Sequence, residues 1–110
     1  MISPWYKRLN ILGLGYSEGT GGRVIKAPII VVKSFKELDD RANEVPGKIV
    51  VYNFRYESYS AQVQYRSYGA SRASKYGAVA ALIRSLTPFS LNTVHTGMQC
   101  KLNFFLFGLV

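Results

Sequence analysis

Apolar positions along this 110-residue chain fall into short β-branched runs that alternate with stretches of helical pattern. The centre is residues 63–85, VQYRSYGASRASKYGAVAALIRS. In its first half Val63, Ala70, Ala73 and Ser74 recur at helical spacing, which leaves Arg66, Arg72 and Lys75 for the wet side. Gly77 is placed to stop this helix, because glycine takes the left-handed conformation beyond a helix end without a Cβ clash. Residues 78–83 are then a short apolar run, expected to be a strand buried on both faces. Residues 47–53, GKIVVYN, read as a second core strand. Strand, loop, helix and strand in this order predict a parallel, right-handed unit at the centre of one small α/β domain.

Around that unit the chain reads as follows. Residues 1–8 form a linker with Pro4, Trp5 and Tyr6, and residues 9–14 are apolar enough for a strand. A glycine-rich loop follows, but a dinucleotide fingerprint that starts at Gly13 and Gly15 needs a third glycine where Glu18 stands. Residues 27–33 make a β-branched run that starts at Pro28. Ser34 and Glu37 have the spacing of a capping box. A helix over 35–44 then turns Phe35, Leu38 and Ala42 inward and Lys36, Asp39, Asp40 and Arg41 outward, and Pro46-Gly47 ends it. Residues 86–99 form a polar loop broken by Pro88. The end, residues 100–110 (CKLNFFLFGLV), is expected to be an apolar tail foreign to the fold. Its alternative is a core strand, since Leu102, Phe104 and Leu106 alternate.

Charge and composition narrow the chemistry. Fourteen Lys and Arg against six Asp and Glu give a net charge of +8, scattered along the chain, which suits acidic partners without specifying one. Residues 54–68 (FRYESYSAQVQYRSY) interleave Tyr with Arg as single-strand nucleic-acid platforms do, so a small basic nucleic-acid-binding module is the alternative function. These aromatics span a loop and a helix start, not one face of a strand. One Cys and one His leave no intrachain disulfide and no zinc ligand set, and the adjacent Asp39 and Asp40 diverge by about 100° on a helix. Self-contained catalysis is therefore not expected, and neither a catalytic nor a metal-binding residue is assigned. No apolar h-region follows Lys7 and Arg8, so no signal peptide is expected in the chain, and no apolar run reaches the roughly 18 residues of a membrane span.

Several segments together carry a resemblance. These are Leu12-Gly13-Leu14-Gly15 with Gly19-Thr20, then Ala27-Pro28-Ile29-Ile30-Val31-Val32 with Ser34-Phe35 and Glu37-Leu38, then residues 47–53. Val63-Gln64-Tyr65-Arg66 with Gly69-Ala70, residues 77–85, Phe89-Ser90 and His95-Thr96-Gly97 complete the set. In this order they resemble the protease-associated (PA) domain of the carboxypeptidase Q family, over about residues 9–99. The resemblance implies a non-catalytic domain of α/β (α+β) class, a β-sandwich or open barrel with two flanking helices. It implies a parent enzyme that is a zinc-dependent, homodimeric dipeptidase-type carboxypeptidase, secreted or lysosomal, whose metal ligands lie outside this chain. The expected partner is that enzyme's catalytic domain. The contact residues are then expected in the loops over 15–23, 54–59 and 87–97, at Tyr16, Arg55, Tyr56, Tyr59 and His95.

Overall fold

Strand β3 (Ile49–Tyr52), helix α2 (Tyr59–Lys75) and strand β4 (Ala80–Arg84) form the expected central unit, and β3 and β4 pair in parallel from Ile49↔Ala80 to Tyr52↔Ile83. The computed structural model describes residues 8–88, 97 and 98, and the backbone of 106–109. Its remaining elements are β1 (Ile11–Gly13), β2 (Ile29–Val32), α1 (Phe35–Asp40), a short 3-10 helix (Ala42–Glu44) and β5 (Leu106–Leu109). All five strands make one sheet in the order β1-β5-β4-β3-β2, parallel except for β1 against β5. The expected α/β class with two flanking helices is present. Among the described residues the strands form a single layer, with no second sheet to make a sandwich.

Both helices lie on one face of the sheet. Because in-register residues of parallel strands share a face, Ile30, Val50 and Ala81 form one row under the helices, and Val32, Tyr52 and Ile83 form the next; all six are buried. The opposite face carries Ile29, Val31, Ile49, Val51 and Leu82, which are half-buried or exposed. Helix α1 begins at Ser34, whose Oγ accepts the Glu37 N–H at 3.1 Å. The capping box is only half closed, since Glu37 Oε2 accepts the N–H of Lys33 at 2.7 Å. The predicted helix over 35–44 breaks at Arg41, whose φ of −108° and ψ of 22° leave the helical region and separate α1 from the 3-10 helix.

Helix α2 begins a turn earlier than the apolar spacing suggests. Its N-cap is Ser58, whose Oγ accepts the Ala61 N–H at 3.2 Å. Its buried face is Gln62, Tyr65, Gly69, Ala70 and Ala73, whereas Ser74 is exposed and not inward as expected. Gly77 has φ +85° just past the end, the left-handed position predicted for it. Strand β4 is buried on both faces at Ala80, Ala81 and Ile83.

The core centres on aromatic rings. Phe35 meets Tyr52 edge-on at 5.7 Å and Tyr65 at 4.6 Å, and Phe54 stacks on Tyr65 at 4.8 Å. Tyr52 is fully buried, and its hydroxyl donates to the Gly69 carbonyl at 2.6 Å. Burial pushes the pKa of that hydroxyl far above the usual phenol range, so it stays protonated and keeps its role as donor. A Cβ on Gly69 would stand 2.9 Å from Tyr52 Cε2 and 3.2 Å from Ile83 Cδ1. Only glycine lets α2 come this close to the sheet.

The chain end departs from the expectation of a foreign tail. Leu106–Leu109 is strand β5, hydrogen-bonded to β1 on one side and to β4 on the other. The alternating residues Leu102 and Phe104 lie outside the described residues.

Two outcomes follow from this packing. Gly69→Ala gains about 1 kcal/mol of helix propensity but drives a methyl into a ring that is buried and hydrogen-bonded, so urea melts are expected to show a net loss of about 1–3 kcal/mol. An unchanged midpoint would mean that α2 can retreat from the sheet freely. Removing residues 100–110 deletes a strand with two neighbours, and the truncated chain is expected to lose its cooperative thermal transition by circular dichroism. Retention of the full transition would show that β5 contributes nothing to the fold.

Candidate functional site

The residues expected to make contacts lie on three segments, and two of these meet beside α2. After β1 the chain turns, with the Ser17 N–H donating to the Leu14 carbonyl at 3.0 Å; Leu14 is buried and Tyr16, at φ +64°, is 75 % exposed. This turn is joined to the third segment. The Gly15 N–H donates to the Gly97 carbonyl at 2.8 Å, and Gly15 bridges Met98 in parallel. Gly97 in turn lies against Arg66 of α2, whose Nε would be 2.6 Å from a Cβ at that position. The Arg66 guanidinium sits 5.3 Å from the centroid of the Tyr59 ring and donates from Nη2 to the Tyr59 hydroxyl. A continuous line of contacts thus runs from the Tyr16 turn through 97–98 to Arg66 and Tyr59.

The middle segment is held at both ends. Phe54 is buried, and its carbonyl accepts from Arg84 Nη1 at 3.0 Å. At the other end the buried Gln62 Oε1 accepts the N–H groups of Glu57 at 3.0 Å and Ser58 at 2.9 Å. Between these anchors Arg55 is exposed and Tyr56 is half-buried. Tyr59, expected in the loop, is the first residue of α2, because Ser58 caps the helix there. His95 lies outside the described residues. Sequence reasoning missed Gln62, Arg66, Arg84 and Gly97 as the residues that hold these segments. The spacing of Tyr59 and Arg66, two turns apart on one helix, was the one signal available for their pairing.

A second polar cluster joins the helices. The Tyr76 hydroxyl donates to Asp39 Oδ1 at 2.7 Å, Arg72 Nη1 reaches Asp39 Oδ2 at 3.4 Å, and the Arg72 guanidinium lies 4.5 Å from the centroid of the Phe35 ring. The hydrogen bond to Asp39 raises the Tyr76 hydroxyl pKa above its ordinary value. Asp40 turns away to Lys36 at 2.9 Å, so the adjacent carboxylates diverge. Every group here is paired in a way that ties α1 to α2, and none is poised for acid–base work.

The zinc that the family resemblance implies needs three or four ligands. Among the described residues no three His, Cys, Asp or Glu side chains come together, so these residues do not make a zinc site. No helix among them is long and apolar enough to cross a membrane.

The fold matches part of a peptidase structure. The crystal structure of a peptidase M28 precursor from Shewanella amazonensis SB2B superposes with a TM-score of 0.86 at 25 % identity, over 98 % of this chain and 27 % of that one. More particularly, the chain is similar in sequence to carboxypeptidase Q. It is 52 % identical over 99 residues to the protein from Homo sapiens, covering 90 % of this chain, and 54 % identical over 91 residues to that from Rattus norvegicus, covering 83 %. The chain spans about a fifth of these relatives, 21 % and 19 % of their lengths. No protein-family model matches it.

The Gly97 contact can be tested directly. A Gly97→Ala methyl must displace the Arg66 side chain, and the Gly15–Gly97 hydrogen bond should weaken with it. Amide exchange at Gly15 is expected to accelerate about tenfold, an opening cost of the size of one hydrogen bond, while α2 amides keep their protection. Unchanged exchange at Gly15 would show that Arg66 yields without disturbing the turn.

Proposed function

We propose that this chain is a non-catalytic, protease-associated segment of a zinc metallopeptidase of the dipeptidase type, secreted or lysosomal, and that it acts as a lid or interaction surface for the catalytic part of that enzyme. The observation that carries the proposal is the 52 % identity to carboxypeptidase Q over 90 % of the chain, joined to a span of only 21 % of that protein. Two features of the fold support it. The sheet face away from the helices shows Ile29, Val31, Ile49, Val51 and Leu82, and parallel sheets are ordinarily covered on both faces. The exposed Tyr16, Arg55 and Tyr59, with the half-buried Tyr56, are held on anchored segments, as contact residues on a rigid scaffold should be.

The net charge of +8 and the Tyr/Arg-rich stretch favour a second function, a basic nucleic-acid-binding module. In the fold, however, the Tyr65 ring is part of the core and Arg66 is engaged with Tyr59, so the stretch offers no continuous stacking face.

One pair of measurements separates the two. The chain is mixed with a carboxypeptidase Q catalytic portion that lacks this segment, and dipeptide turnover is followed. A change in KM or kcat that is lost in the Tyr56→Ala, Tyr59→Ala, His95→Ala variant is the expected result. Unaltered turnover together with no detectable binding would refute the lid. In parallel, affinity for single-stranded RNA is titrated with salt, and a specific affinity that falls steeply would favour the nucleic-acid module instead.

A further inference from the structure

Strand β2 is an outer strand of the sheet, and its free rim is only partly covered. The Ile49 N–H donates to the Pro28 carbonyl and the Asn53 N–H to the Val32 carbonyl, both at 2.9 Å, so even-numbered residues of β2 bond inward and odd-numbered ones face away. Two outward groups are taken by α1 and the residue after it. The Val31 carbonyl accepts from Arg41 Nη1 at 3.1 Å, and the Lys33 N–H donates to Glu37 Oε2 at 2.7 Å. The Ile29 N–H, the Ile29 carbonyl and the Val31 N–H have no partner among the described residues. The flanking side chains are apolar and open, with Ile29 60 % and Val31 41 % exposed.

The chain that enters this rim also lines a cavity of ≈ 430 Å³ beneath the starts of the central strands. Its wall includes Arg23, Val24, Lys26, Ala27, Gly47 and Val79, with no acidic residue. Val24 is 92 % exposed, and Arg23 and Lys26 are exposed as well. The Arg23 N–H donates to the Thr20 carbonyl at 3.2 Å across Gly21 and Gly22, at φ +63° and +81°. Positive φ at both central positions is the geometry of a tight turn, which sets the backbone at Arg23.

We propose that the β2 rim binds an extended segment of a partner polypeptide as an added strand. The open backbone groups supply three hydrogen bonds, alternate apolar side chains of the partner lie beside Ile29 and Val31, and an acidic end of the segment reaches Arg23 and Lys26. Charge selects the partner, since the only charged residues in the cavity wall, Arg23 and Lys26, are cationic, on a chain of net charge +8. Arg41 and Glu37 limit the reach of the added strand by occupying the far half of the rim. The open backbone groups of this rim lie apart from the Tyr16–Arg66–Tyr59 surface, while Ile29 and Val31 also belong to the sheet face that supports the proposed function.

The test uses the whole chain with a dye-labelled peptide, Asp-Glu-Thr-Val-Thr-Val-Thr, and its reversed sequence, read by fluorescence anisotropy. One of the two is expected to bind and to shift the Ile29 and Val31 amide resonances. Ile29→Pro removes an outward donor and leaves the ladder to β3 intact, and should weaken binding about fivefold. N-methylation of alternate peptide amides should do the same with the protein unaltered. Replacing Arg23 and Lys26 by alanine should flatten the salt dependence of binding. Arg41→Ala should tighten binding by freeing the Val31 carbonyl. The proposal is overturned if neither peptide binds at millimolar concentration, if N-methylation has no effect, or if the shifts map elsewhere. It is also overturned if sedimentation shows that a second copy of the chain occupies the rim instead.

Discussion

The distance of α2 from the sheet sets the rest of the structure. Gly69 lets the helix backbone settle on the Tyr52 ring, and the Tyr52 hydroxyl bonds the Gly69 carbonyl at 2.6 Å. A buried phenol without a partner would cost about 1–3 kcal/mol, so this bond is a condition for placing a tyrosine there at all. The close approach also places Tyr65 where Phe35 and Phe54 can sandwich it. Phe35 opens α1 and Phe54 opens the loop before α2, so one aromatic cluster fixes both helices and the Arg55–Tyr56 segment. The position of Tyr59 and Arg66, and through Gly97 that of the Tyr16 turn, follows from where α2 lies.

Charge is unevenly distributed over this frame. Four of the six acidic residues, Glu37, Asp39, Asp40 and Glu44, lie on α1 and the 3-10 helix, where they pair with Arg41, Lys36 and Arg72. Arg41 beside it holds the Glu44 carboxyl below its usual range. The two remaining acidic residues, Glu18 and Glu57, lie in the loops that carry Arg23 and Arg55. A net charge of +8 is less informative than this separation, because a partner meets local potential and not the sum.

Much of the central unit was legible because its signals are local. The β-branched runs at β2 and β3, Ser34 as a cap and Gly77 as a stop each depend on neighbouring residues. What escaped depends on distant ones. Gln62 is buried although polar, because its side chain bonds two loop amides, and hydrophobic spacing is blind to that exchange. Gly69 gives no signal of depth, since its role is the absence of a side chain over a ring 17 positions earlier. Strand β5 contains Gly108 and pairs with β1, almost a hundred residues before it, so no periodicity within the run distinguishes an added tail from an interior strand. The turn at Tyr16 and the segment before Ser58 were legible as loops. Their junction was not, because Gly97 and Arg66 meet only once α2 is placed.

The Glu37–Arg41 pair shows how a weak interaction can have a large structural consequence. Both side chains are about one third exposed, and such a pair on a helix surface contributes little to stability. Its effect is directional. Glu37 bonds the Lys33 N–H while Arg41 bonds the Val31 carbonyl, so the helix that follows β2 folds its own charges back over the strand's free rim. An uncovered parallel edge of β-branched residues invites further pairing along its whole length. Here the upper half is closed by side chains that are themselves held by Glu44 and the α1 cap, and the lower half, at Ile29, stays open beside a cationic wall. The same few residues thus cover part of the strand's edge and leave a short open rim beside Arg23 and Lys26.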